Sequence, residues 1–246
     1  MKRINVYLSV YLVLSIVFVT MHLEKSVLPV KSILEKTSID KIGYPFSLYG
    51  YWIGMDVLQG QNRVYYIVFP LACICFFWGC YDYFIKRARS LQWITIGMIG
   101  GIGGMIPQIL DFMVVSCILP AVRPDSATVF FCLTPKCFLA ELYYSHPMIY
   151  IIIFLLWGGC IGALMTLECY FLYKIVKRKE LAICISGAMV LTSGFVSEKF
   201  GREQFCYYYL INPGQPIEGL ELSNYLLFLV LMLIITGVLY VFCKNK

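Results

Sequence analysis

The chain has 246 residues, 60% of them hydrophobic and only 14% charged, with 20 basic against 14 acidic side chains and a net charge of +6. A mean hydropathy of +0.78 lies well outside the range of ordinary soluble domains, and no nucleic-acid partner is expected of such a chain. It reads as a membrane protein, because a hydrocarbon core about 30 Å thick takes about 20 apolar residues per helix and several stretches supply them.

The expected fold is all-α, a single polytopic domain over 1–246 with six transmembrane helices at about 4–22, 64–80, 92–119, 147–173, 181–197 and 223–243. Lys2 and Arg3 precede the first apolar run as they would in a secretion signal. That run is too long for one, however, and no small-x-small cleavage site follows before "MHLEKSVLPVK", so the segment is expected to be retained. The stretch 23–63 holds enough apolar and aromatic residues to fold against the membrane surface, and "VKSILEKTSI" has a partial helical period that predicts one short amphipathic helix. The second span ends on "YDYFIKRARSLQW", residues 81–93, where Lys86, Arg87 and Arg89 stand among Tyr81, Tyr83, Phe84 and Trp93.

The third span carries "GMIGGIGG", which lacks the Gly-Lys-Ser/Thr of a phosphate loop. Its spacing instead sets Gly97 with Gly101 and Gly100 with Gly104 in the small-xxx-small pattern that lets helices approach closely, within the chain or across a dimer. Gly158 and Gly162 repeat the pattern in the fourth span. An ionisable residue at membrane depth is a functional hypothesis, since its burial costs at least about 2.5 kcal/mol. Asp111 is one such residue; with Gln108 and the carbonyls freed below Pro107 it is a candidate to line a cavity, a polar helix contact being the alternative. Glu168, the second, is expected to snorkel toward the interface and pair with Lys174 and Lys177. His22 and His146, at the outer end of the first span and the start of the fourth, read as interfacial polar caps. The spans hold no constellation of a nucleophile with its base or of metal ligands, so the chain is expected to carry no catalytic residue, metal or cofactor.

Most of the 11 cysteines fall inside spans and read as small apolar packing residues. Cys132, Cys137 and Cys206 fall in outer loops, where a bridge from Cys132 to Cys137, or from either to Cys206, stands against free thiols. With six spans, the two ends and the loops 81–91 and 174–180 share one side, and they hold 11 of the 20 basic residues against Asp82 and Glu180 alone. The excess of Lys and Arg in short loops marks that side as cytoplasmic, so both termini are expected inside.

In order and spacing, "GYWIGMDVLQGQNRVYYIVFPLACICFFWGCYDYFIKRARSLQWITIGMIGGIGGMIPQILDFMVVSCILP" resembles the first half of the small permease subunits of type-2 ABC exporters from Gram-positive bacteria. The features that carry the likeness are Phe69 and Pro70, the cluster Lys86 to Arg89, Gly100 to Gly104, Pro107 and Pro120. "FLAELYYSHPMIYIIIFLLWGGCIGALMTLECYFLYKIVKRKELAICISG" is similar to the second half, so the likeness runs from about Gly50 onward, with a first basic loop more compact than is usual there. The resemblance implies a subunit of the bacterial cytoplasmic membrane, paired with a second permease subunit as a homodimer or heterodimer and surrounded by membrane lipid. It also implies that Tyr81, Tyr83, Phe84, Lys86, Arg87 and Arg89 couple to a separate ABC ATPase, which would hold ATP-Mg. This chain has no GxxxxGK[ST] of its own. An amphipathic peptide or a lipid is the implied cargo. The rival readings are a non-transporting partner, such as a bacteriocin-immunity or sensory protein binding a ligand through 23–63, and an intramembrane enzyme.

Overall fold

The computed structural model describes residues 5–29, 31–32, 48–52, 63–84, 92–124, 139–199 and 221–244. Every regular element among them is helical: α1 Val6–His22, α2 Leu48–Trp52, α3 Arg63–Phe84, α4 Gln92–Ser116, α5 Ala140–Ser145, α6 Pro147–Val176, α7 Lys179–Lys199 and α8 Leu222–Lys244. The six long helices fall where the six apolar segments stand in the sequence. Of these, α4, α6 and α8 are long and apolar enough to cross a membrane, while α1 and the Val68–Tyr81 part of α3 are shorter apolar helices.

Contacts at the helix ends fix their directions. Asn5, just before α1, donates to the Gly79 carbonyl near the end of α3 at 2.6 Å. Trp78 of α3 meets Tyr173 near the end of α6, and Lys179, which opens α7, lies over Trp78. Gln92 and Trp93 at the start of α4 share one groove with Lys174, Lys177 and Lys244 at the ends of α6 and α8. The six long helices therefore alternate in direction. The starts of α1, α4 and α7 and the ends of α3, α6 and α8 gather at one end, which Lys174, Lys177, Arg178, Lys179 and Lys244 make basic.

α6 is the central helix, packed on α3, α4, α7 and α8, and α3 closes the centre by touching α1, α4, α6 and α7. The core is strongly aromatic: Phe69, Phe77, Trp78, Tyr143, Tyr150 and Tyr225 are all buried. α1 and α8 lie at the rim and present Leu12, Val13 and Ile16, and Leu233, Ile234 and Phe242, to the surroundings. Such faces are costly in water and at ease against lipid chains or a second apolar subunit.

α1 continues past His22 through a π-helical turn, Leu23–Val27, and α2 docks inward. The Leu48 amide donates to the Pro120 carbonyl at 3.0 Å, and Trp52 sits between Phe112 and Phe154 at ring-centroid distances of 5.1 and 5.2 Å. Part of the 23–63 stretch is thus built into the bundle; most of "VKSILEKTSI" lies outside the described residues. Cys73, Cys75 and Cys169 are buried packing residues as expected, whereas Cys117, Cys160 and Cys184 face outward, and all six are free thiols. Cys132, Cys137 and Cys206 lie outside the described residues.

Candidate functional site

Two polar centres and one close helix seam stand out against the apolar bundle. The seam joins α4 to α6. A Cβ at Gly100 would run into the Thr166 side chain and stand 2.8 Å from the Gly162 carbonyl; one at Gly101 would stand 3.1 Å from the Gly159 carbonyl, and one at Gly104 3.3 Å from that of Gly158. Gly97 faces Ala163 and Leu167 more loosely. The glycine face is thus spent on close packing within the chain, leaving the dimer alternative without this surface. One turn further along α4, the buried Gln108 lays its amide on Gly158, where a Cβ would meet Oε1 at 2.6 Å.

The first polar centre joins α1 to α4. Pro107 stands inside α4 and has no N–H, so the carbonyl four residues earlier loses its helical donor. That carbonyl is Gly103's, and the buried Tyr11 hydroxyl of α1 donates to it at 3.1 Å. Farther along both helices, His22 Nδ1 meets Asp111 Oδ2 at 2.8 Å, with side-chain exposures of 12% and 4% that leave the pair almost no outside contact. Trp52 flanks the same carboxyl, yet Asp111 Oδ1 has no hydrogen-bond partner. His22 is therefore a partly buried partner of Asp111, a pairing that its position at a helix end did not announce. His146 does stand at a helix boundary, between α5 and α6, where it makes no side-chain cap hydrogen bond.

The second centre corrects the expectation for Glu168. Its carboxyl lies 3.4 Å from the Thr236 hydroxyl of α8, which donates to the Met232 carbonyl at 2.8 Å, and neither Lys174 nor Lys177 forms an ion pair with it. Lys174 instead rests over the Tyr170 ring at 5.3 Å. The packing of α8 on α6 covers this side chain and sets it beside Thr236 and away from the lysines.

Of the residues expected in the coupling loop, Tyr81 is described in detail. Its ring lies 6.5 Å from that of Tyr173 and under the Lys179 ammonium at 5.2 Å. Tyr83 and Phe84 complete α3, while Lys86, Arg87 and Arg89 lie outside the described residues. Among the described residues, no three His, Cys, Asp or Glu side chains stand together to hold a metal ion. Asp111, Gln108, Pro107 and Glu168 were legible as interruptions of apolar runs; Tyr11, His22, Trp52 and Thr236, which meet Gly103, Asp111 and Glu168, carried no local signal that would have paired them. No protein-family model matches the chain, no curated protein matches it, and no solved structure matches it.

Proposed function

We propose that the chain is the membrane-spanning subunit of an ABC exporter, with six spans and both termini in the cytoplasm, working in a pair with a second permease subunit and energised by a separate ATPase. One observation carries this reading. The end of α3 that leads into 85–91 is clamped on the α6–α7 turn, with Trp78 against Tyr173 at 5.0 Å and Lys179 over Trp78 and Tyr81 at 4.8 and 5.2 Å. A partner pressing on the basic loop would push on α3 and, through this clamp, on α6 and α7. The aromatic and cationic residues suit a docking surface for an acidic groove. The partner's work lies in biasing two arrangements of the bundle, which needs contacts that differ between them. The apolar rims of α1 and α8 supply surface for lipid and for the second subunit. The proposed cargo, an amphipathic peptide or a lipid, is drawn from the resemblance in sequence and suits a bundle this apolar and aromatic.

Replacing Arg87 and Arg89 together by Glu tests the reading. Co-purified ATPase and substrate-stimulated hydrolysis in vesicles are both expected to fall at least tenfold, on the order of the several kcal/mol that charge reversal costs at a desolvated interface. Lys199→Glu, an exposed charge at the far end of α7, is expected to retain both. Equal loss in the two variants would assign the effect to charge in general, and retention in both would remove the docking role of 81–91.

A further inference from the structure

The basic end contains a groove of about 650 Å³ between the start of α4 and the ends of α6 and α8. That volume is in the range of small-molecule sites, about 300–1,000 Å³. Three lysines line it, Lys174, Lys177 and Lys244, with Trp93, Tyr240 and Phe171 as apolar walls and no carboxylate among the lining residues. Among the described residues, none of the three lysines has an ion-pair partner. Three cations lining one concavity, with no carboxylate among the described residues that line it, repel one another, and an anionic group between them would relieve that repulsion. Trp93 and Tyr240 are half exposed, at 52% and 47%, as suits aromatic side chains at the boundary between headgroups and acyl chains. α4 and α8 each pack on α6 and lack an extensive contact with each other, so the groove stays open between them. Both helices carry exposed apolar residues farther along, Met98 and Ile102 on α4 and Ile234 and Ile235 on α8.

We infer that this groove binds the headgroup phosphate of an anionic phospholipid, with Lys174, Lys177 and Lys244 around the phosphate and Trp93 and Tyr240 at the start of the acyl chains. A free phosphate would use the lysines but not the aromatic walls, and those walls favour the lipid. The inference does not depend on an ATPase partner and is tested on the isolated chain.

The backbone supplies an incisive variant. Lys177 ends α6 in the left-handed region, at φ 63° and ψ 12°, a conformation glycine adopts without strain. Lys177→Gly therefore keeps the turn while deleting one charge of the groove. The purified full chain in neutral detergent would be titrated with dioleoyl phosphatidylglycerol or dioleoyl phosphatidylcholine and bound lipid counted by native mass spectrometry, with thermal unfolding as the check of fold. The wild-type chain is expected to prefer phosphatidylglycerol. That preference should fall about fivefold for each lysine removed, first in Lys177→Gly and further when Lys174→Gln and Lys244→Gln are added. Millimolar inorganic phosphate is expected to leave the bound lipid in place. An unchanged preference in Lys177→Gly and in the triple variant would overturn the assignment. So would displacement of the lipid by inorganic phosphate.

Discussion

Asp111 holds one carboxylate oxygen on the His22 ring at 2.8 Å, with Trp52 beside the carboxyl, so its burial rests largely on the histidine. Removing that contact leaves a carboxyl buried without compensation, a loss of about 3 kcal/mol or more when the group stays charged. His22→Ala and Asp111→Ala are each expected to lower the thermal midpoint in detergent, and the double variant to lose less than the sum of the two, with a coupling above about 1 kcal/mol. Strict additivity would show that the two side chains merely adjoin. Asp111 was visible in the sequence because a carboxylate inside an apolar run contradicts its surroundings. His22 was not, because the two residues are 89 positions apart and His22 sits where a helix end ordinarily meets water. Tyr11 was equally hidden: a tyrosine in an apolar helix reads as packing, and only the carbonyl freed by Pro107 gives its hydroxyl a purpose.

At the scale of the helix, the glycines divide by what a side chain would meet. At Gly100 a methyl group would strike Thr166 and the Gly162 backbone, whereas at Gly187 and Gly237 nothing stands within 4 Å. Gly100→Ala is expected to destabilise the α4–α6 pair by about 1–3 kcal/mol, as overpacking does. Gly101→Leu is expected to part the same helices, since a branched side chain has no room beside the Gly159 carbonyl at 3.1 Å. Gly237→Ala, in contrast, gains helix propensity without meeting a neighbour and is expected to stabilise by up to about 1 kcal/mol. Thermal unfolding of the three variants in one detergent checks the order, and a Gly100→Ala chain as stable as Gly237→Ala would place the seam elsewhere. The pattern of small residues was legible in both helices because a period of four is local. Its pairing was not, since α4 and α6 are brought together by a chain excursion that local spacing does not encode. The existence of the long helices was legible for a related reason: an apolar run of this length has few alternatives. The docking of α2 was not legible, because five residues, Leu48–Trp52, carry no period, and their burial depends on the space left between Phe112 and Phe154.

At the scale of the whole molecule, the alternation of six helices divides the chain into two ends, and two cysteine thiols mark them. Cys117 follows α4 directly and is exposed; Cys243 lies beside Lys244 at the end of α8 and is partly covered in the basic groove. α4 has 25 residues, which at 1.5 Å per residue separates its ends by about 37 Å, more than a hydrocarbon core of about 30 Å. A membrane crossed along α4 would therefore hold the two thiols on opposite faces. Among the described residues the Cys243 end sets Lys174, Lys177, Arg178, Lys179 and Lys244 against only Asp82 and Glu180, and short loops rich in Lys and Arg stay on the cytoplasmic side. A membrane-impermeant maleimide added to intact cells is therefore expected to label Cys117, in a chain whose Cys132, Cys137 and Cys206 are replaced by Ser, and to spare Cys243 until the cells are permeabilised. The buried Cys73, Cys75 and Cys169 can remain, since the reagent does not reach them and their removal would open the core. Labelling of Cys243 from outside with Cys117 protected would turn the bundle over. It would carry 81–91 out of reach of any cytoplasmic ATPase, removing the exporter reading, while the lysine groove would keep its chemistry and face the outer leaflet instead.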